Sequence, residues 1–248
     1  MSKPVVLVTG GGKRIGAAIS KLLMESGYYV LIHVRNSKDS AHELILSSSQ
    51  EKDSIGCGDV LVSDLGSEEQ LEDLIKTVKN HSMVKESGGL SGLIHNASIY
   101  EPIEFENLDL DVMRRYFRIH VEVPFVLTKG LLGELKSKSG CVVGIVDTSQ
   151  GRSWKDLSHY TSSKSALRQL MINLAGDLKP DVRVNCIAPG AILSAEWEVE
   201  HFASVLEVVP MGRSGEPIDV AKAVKFLMES PHISGQIINV DGGWTIVE

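Results

Sequence analysis

The chain is poor in the residues that would staple a fold or hold a metal. Its three cysteines, Cys57, Cys141 and Cys186, are odd in number and far apart. That excludes a dense disulfide framework and suits small hydrophobes in a reducing, cytoplasmic setting. There is no C-x-x-C, and the eight histidines form no H-E-x-x-H, so no metal site is expected. No apolar run approaches the ~18 residues of a membrane span. The start, Met1-Ser2-Lys3-Pro4, leads straight into a short apolar run without the regions of a signal peptide, so no membrane or secretory role is expected. Positive charge is in deficit, with a net charge of −7, which argues against nucleic acid as the main partner. Repeats, low-complexity tracts and linkers are absent too. What remains is 248 residues, 43% hydrophobic and 23% charged, an ordinary globular composition with enough chain for one large core or two small ones.

The apolar pattern alternates between two periods. Pro4–Val8 reads as a buried strand, and Ile15, Ala18, Ile19, Leu22 and Leu23 then repeat at helical spacing up to Gly27, a C-terminal stop. Tyr28–Val34 is a second strand, 38–49 a helix, and Val60–Val62 the end of a third strand. Ser67-Glu68-Glu69-Gln70 carries a capping-box signature before a helix with Leu71, Leu74, Ile75 and Val78 on its apolar face. Gly92–His95 is a fourth strand. Residues 108–135 read as a long helix broken at Pro124. Cys141–Val146, Val182–Ile187 and Gln236–Val240 are further strands, with helices from about 160 to 178 and over Pro217–Met228. Such alternation implies β-α-β units, a parallel sheet, and a ligand at the carboxyl ends of its strands. The irregular stretch 189–216 is the natural substrate loop.

Candidate chemistry gathers at those strand ends. Gly10-x-x-x-Arg14-Ile15-Gly16 joins a strand to a helix N-terminus, a place for a phosphate; taken alone, the glycines equally suit a tight turn. Arg35 stands 19 residues past Gly16, where dinucleotide enzymes that use NAD carry an acid for the ribose. A guanidinium there, with Asn36 and Ser37 beside it and Arg14 in reach, suits a 2′-phosphate and so NADP. The alternative is a solvated strand-end cation. Asp64, followed by Leu65, is placed to bond an adenine amino group or simply to make a turn. Asn96-Ala97-Ser98 fall where a cofactor ribose would lie, or form an Asx turn. Tyr160 and Lys164 share one helix face at i and i+4, about 6 Å apart. There an ammonium lowers a phenol's pKa from roughly 10 toward neutrality, making an acid–base group for a carbonyl, alcohol or imine.

Together these segments resemble the short-chain dehydrogenases/reductases: Thr9-Gly-x-x-x-Arg-x-Gly16, Asn96-Ala97-Ser98, Tyr160-x-x-x-Lys164, Asn185-x-Ile187-Ala188-Pro189-Gly190 and Asp241-Gly242-Gly243, in that family's order over essentially the whole chain. The resemblance implies a single doubly wound, Rossmann-type α/β domain over residues 1–248, with about seven parallel strands flanked by helices. Pro189 and Gly190 would join the cofactor site. A homotetramer would form through helices near 108–135 and 160–178.

Within the family, the details are similar to the pteridine reductases, especially the bacterial dihydromonapterin reductases. Arg14 stands for the usual glycine, Ala97-Ser98 for Ala-Gly, and His120 for the usual asparagine in His120-Val121-Glu122-Val123-Pro124. Thirteen residues before Tyr160, where the family's serine belongs, stands Asp147. Reducing a C=N bond needs hydride on carbon and a proton on nitrogen, and a carboxyl beside Tyr160 can share that proton. Burial favours the neutral carboxyl, so a protonated Asp147 is the expectation. In the alternative, Asp147 is structural and Thr148 or Ser149 replaces the serine in a shifted register. Tyr100 falls where pteridine reductases stack an aromatic ring on the pterin, or is a loop tyrosine. Trp197 would cover substrate, with Arg14 as a further contact, or pack against a neighbouring subunit. His120 would serve the proton path or the structure.

The expected activity is NADPH-dependent reduction of a dihydropterin, with Asp147, Tyr160 and Lys164 catalytic. A carbonyl reductase acting on a 3-oxoacyl thioester or sugar, and a non-catalytic NADP-binding sensor, are the alternatives.

Overall fold

Seven parallel strands form one sheet in the order β3-β2-β1-β4-β5-β6-β7. A computed structural model describes residues 2–48, 57–149 and 151–247. The strands are β1 (Val5–Thr9), β2 (Tyr29–Val34), β3 (Gly58–Val62), β4 (Gly92–His95), β5 (Cys141–Ile145), β6 (Arg183–Pro189) and β7 (Ile237–Val240). Apolar runs such as Val5-Val6-Leu7-Val8 arise because helices cover both faces of a parallel sheet. Successive side chains alternate faces. Val5 and Leu7 therefore enter one core with Leu71, Leu93, Leu127 and Leu167. Val6 and Val8 enter the other with Ile19, Leu23, Ile94 and Val224. Strand order reverses between β1 and β4, which opens a crevice at their carboxyl ends.

The helices are α1 (Arg14–Glu25), α2 (Lys38–Ser48), α3 (Glu68–Asn80), α4 (Ser82–Ser87), α5 (Leu110–Phe117), α6 (Val123–Gly130), α7 (Leu132–Lys136), α8 (Ser158–Asp177), α9 (Val199–Val208) and α10 (Pro217–Glu229). None of the described helices is long and apolar enough to cross a membrane. Gly27 ends α1 in the left-handed region, φ +91°, and Tyr28 N–H returns to Leu23 O at 3.0 Å, as a helix stop requires. Residue 49, read as the last of the second helix, lies outside the described residues.

Three features differ from the sequence expectation. Half of the capping box forms: Ser67 Oγ accepts from Gln70 N–H, but the Gln70 side chain turns outward to Asp64 N–H at 2.8 Å. The helix of 108–135 breaks before Pro124, in a π-helical turn over Arg118–Glu122. Pro124 has no N–H to give and its ring would crowd the His120 carbonyl, so the chain widens by one residue and restarts as α6. The substrate-loop region is not irregular throughout. It holds a 3₁₀ turn, Glu196–Glu198, and then α9.

Candidate active site

A cleft of about 670 Å³ runs along the carboxyl edge of the sheet. Of the site residues expected from the sequence, all but Trp197 line it: Gly10, Arg14, Ile15, Gly16, Arg35, Asn36, Ser37, Asp64, Leu65, Asn96, Ala97, Ser98, Tyr100, Asp147, Tyr160, Lys164, Pro189 and Gly190.

At one end is the glycine turn. Gly10 has φ +63°, a conformation that glycine adopts freely. A Cβ on Gly16 would meet Gly10 O at 2.1 Å, so α1 can start this close to the turn only with glycine there. No side chain caps the first turn of α1, which leaves backbone N–H groups and the positive helix end for an anion. Asn96 Nδ2 donates to Thr9 O and Gly10 O, both at 3.0 Å, and Thr9 Oγ1 receives Asn96 N–H and Ala97 N–H. The Asn96 side chain thus braces the turn. His33 holds it from below: Gly10 N–H donates to Nδ1 at 3.3 Å, and Nε2 bonds Ser63 O at 3.0 Å. Burial pushes the His33 pKa down, keeping the neutral ring that this pair of bonds needs.

Arg35 and Asn36 are exposed at the end of β2. Among the described residues Arg35 forms no ion pair. Asp64 Oδ1 caps Gly66 N–H at 2.8 Å. Arg14 lines the same cleft and turns toward the substrate loop. Its Nη2 donates to Leu193 O at 3.2 Å, on the substrate-loop side, and the chain at Arg14 is left-handed, φ +52°.

At the other end Tyr160 Oη donates to Asp147 Oδ2 at 2.7 Å, and Ser149 N–H donates to Asp147 Oδ1 at 2.7 Å. Thr148 Oγ1 is committed to Pro189 O at 3.1 Å, and the group that meets the Tyr160 hydroxyl is the Asp147 carboxyl. Both Asp147 oxygens accept in this arrangement, and the side chain is half-buried. Lys164 is buried and donates to Ile145 O at 2.9 Å. Burial brings its pKa down to about 8. Tyr160 does not follow the expectation of a lowered pKa. Burial, then the neighbouring Asp147 charge, push it well above 10, since a carboxylate in hydrogen-bond contact opposes phenolate more directly than Lys164, 5.8 Å from the ring centre, supports it.

Behind the cleft, His120 is fully buried. Ser163 Oγ donates to Tyr160 O and so receives His120 Nδ1–H at 2.7 Å, while Nε2 accepts from Ile99 N–H at 3.3 Å and Ser98 Oγ at 2.8 Å. The ring is neutral, its pKa lowered by burial and then by Lys164. Tyr100 packs 4.7 Å from Tyr160 and 4.9 Å from Trp197, between ring centres. Trp197 therefore reaches the cleft only through Tyr100, and the wall on that side is made by Glu198, His201 and Phe202.

A family model described as enoyl-(acyl carrier protein) reductase matches residues 11–245. The chain belongs to the short-chain dehydrogenase/reductase family. It is 31% identical to carbonyl reductase family member 4 of Xenopus laevis over 98% of each chain. Two solved structures, those of FolM alternative dihydrofolate reductase 1 from Brucella suis and Brucella canis in complex with NADP, superpose with TM-scores of 0.88 and 0.86 at 30% identity. They cover 100% of this chain and 97% and 96% of theirs.

Set among short-chain dehydrogenases/reductases, this site has residues the sequence did not single out. His33 and Ser163 left no signal beyond their neighbours. Glu198 sits next to Trp197 in a segment without periodicity, and only the fold brings it to Tyr100.

Proposed function

We propose that this short-chain dehydrogenase/reductase is an NADPH-dependent reductase of a C=N bond in a dihydropterin. The observation that carries the proposal is the 2.7 Å bond between Tyr160 Oη and a carboxylate, Asp147, where a carbonyl reductase needs a neutral hydroxyl donor. The likeness to two alternative dihydrofolate reductases supports it.

The residues present fit NADPH. The uncapped start of α1 at Ile15 and Gly16 suits the diphosphate, and the free Arg35 guanidinium with Ser37 suits the 2′-phosphate. Asp64 and Leu65 would border the adenine. Asn96 to Ser98, Lys164, Pro189 and Gly190 would border the ribose and nicotinamide. When bound, NADPH supplies a hydride.

The protein's own part is the proton. Tyr160 stays a phenol through neutral pH because its pKa is raised, so it is a proton donor at rest, as a reduction requires. Asp147 orients the O–H and carries negative charge that stabilises a substrate nitrogen as it becomes positive. The pair holds one proton between two oxygens, and a basic ring nitrogen in the cleft draws on that store. Lys164 fixes the strand end through Ile145 O and adds positive charge behind the phenol.

The test is purified protein with NADPH and, separately, dihydromonapterin, dihydrobiopterin, dihydrofolate and a 3-oxoacyl thioester, following nicotinamide absorbance. Oxidation with a dihydropterin is the expected result; turnover of the thioester alone would overturn the proposal. The same family reading carries a homotetramer built through α5, α6 and α8, which light scattering measures directly.

A further inference from the structure

Glu198 is an unusual residue to find in a cleft wall. It is 8% exposed and lines the substrate end. Its Oε2 accepts from Tyr100 Oη at 2.7 Å and its Oε1 from Ala195 N–H at 2.9 Å. Among the described residues it forms no ion pair. Burying a carboxylate without a cation is costly unless further donors arrive. A carboxylate offers about four lone-pair positions, and these two bonds occupy two of them. The negative charges of Glu198 and Asp147 both bear on Tyr100 and on Tyr160, so two carboxylates face the space around these rings. Neither Lys164, which donates to Ile145 O, nor Arg14, which donates to Leu193 O, forms an ion pair with Glu198. Two carboxylates with acceptor positions to spare thus stand at the substrate end.

We propose that Glu198 is a specificity-determining residue, the acceptor for the N–H edge of the substrate ring. The inference rests on the dihydropterin reading above. A 2-amino-4-oxo pyrimidine edge presents an exocyclic N–H beside a ring N–H, two donors in one plane that match a carboxylate. A ring with oxygen in place of the amino group turns a lone pair toward Glu198 instead. The 3₁₀ turn Glu196–Glu198 places the carboxylate, and the Tyr100 hydroxyl keeps it pointing inward.

The test compares 2-amino-4-oxopteridine with 2,4-dioxopteridine by calorimetry on the NADP-loaded protein. Wild type is expected to prefer the amino compound by about tenfold or more. Glu198→Gln is expected to bring the two within about twofold, to raise KM for a dihydropterin by about tenfold with kcat little changed, and to leave the NADPH dissociation constant as it was. Equal binding of the two rings by wild type overturns the assignment, and this arm needs no variant to fold. A Glu198→Gln protein that keeps the preference overturns it as well. Loss of NADPH binding together with both pteridines marks a structural residue and also overturns it. If wild type binds the amino compound selectively but reduces no dihydropterin, the reaction assigned above fails while the role of Glu198 stands.

Discussion

Lys164 and Tyr160 lie in one buried space, and burial acts on them in opposite senses. It lowers the lysine, to a pKa of about 8, and raises the tyrosine. Below pH 8 the folded protein holds a charged, desolvated ammonium, which costs stability. Between about 8 and the ordinary 10.5 the unfolded chain binds the extra proton, so stability rises with pH there. Lys164→Met removes this dependence. Urea titrations from pH 7 to pH 10 should show wild type gaining on the variant by on the order of 2 kcal/mol; a flat difference would mean that the lysine is not perturbed. Arg35 is the opposite kind of residue, exposed and without an ion pair, so its substitution should disturb little beyond its ligand. Arg35→Ala is expected to cut the preference for NADPH over NADH in kcat/KM by about tenfold or more, with the melting temperature unchanged. Arg35 was legible because its place after β2 is set by strand length. The bond from Arg14 to Leu193 O was not, since it joins segments 179 positions apart.

The π-helical turn Arg118–Glu122 is an element that periodicity alone could not separate from a kinked helix. Pro124 signalled a break, but its form came from tertiary bonds. His120 at its centre ties Ser163 on α8 to Ser98 and Ile99 after β4, joining the catalytic helix to the loop that carries Tyr100. A near-isosteric apolar replacement, His120→Leu, leaves the partly buried Ile99 N–H without its acceptor and removes the bonds from the ring to Ser98 and Ser163. Unfolding in urea should show a loss on the order of 2 kcal/mol at unchanged slope. A loss within a few tenths would mean that Pro124, not His120, maintains the turn. The helix α9 was hidden for a different reason. Its apolar residues, among them the exposed Val199 and Val208, give no clean stripe in a segment framed by loop residues.

Across the whole molecule, the two cores share a single sheet, and the cleft crosses its carboxyl edge from Arg35 at β2 to Tyr160 on α8. A ligand spanning that edge binds the folded state alone and stabilises all of it. NADPH at a hundred times its dissociation constant should add about 2.7 kcal/mol and raise the melting temperature by about 5–10 °C in one transition. NADH at the same concentration should raise it less. Equal shifts would argue against the 2′-phosphate contact at Arg35.

Local order was open to reading from the residues: seven apolar strands between helices, the glycine turn, Arg35 in place of an acid, and Asp147 thirteen residues before Tyr160. Each rests on a spacing of a few residues, or on one strand followed by one helix, and neighbours in sequence decide it. Proton placement was decided by the tertiary structure. The sum of burial and charge over the whole site keeps Tyr160 a phenol and Asp147 an acceptor. So was the meeting of Tyr100 with Glu198 across 98 positions of sequence, because only the convergence of strand ends at one edge of the sheet brings such distant segments within a hydrogen bond.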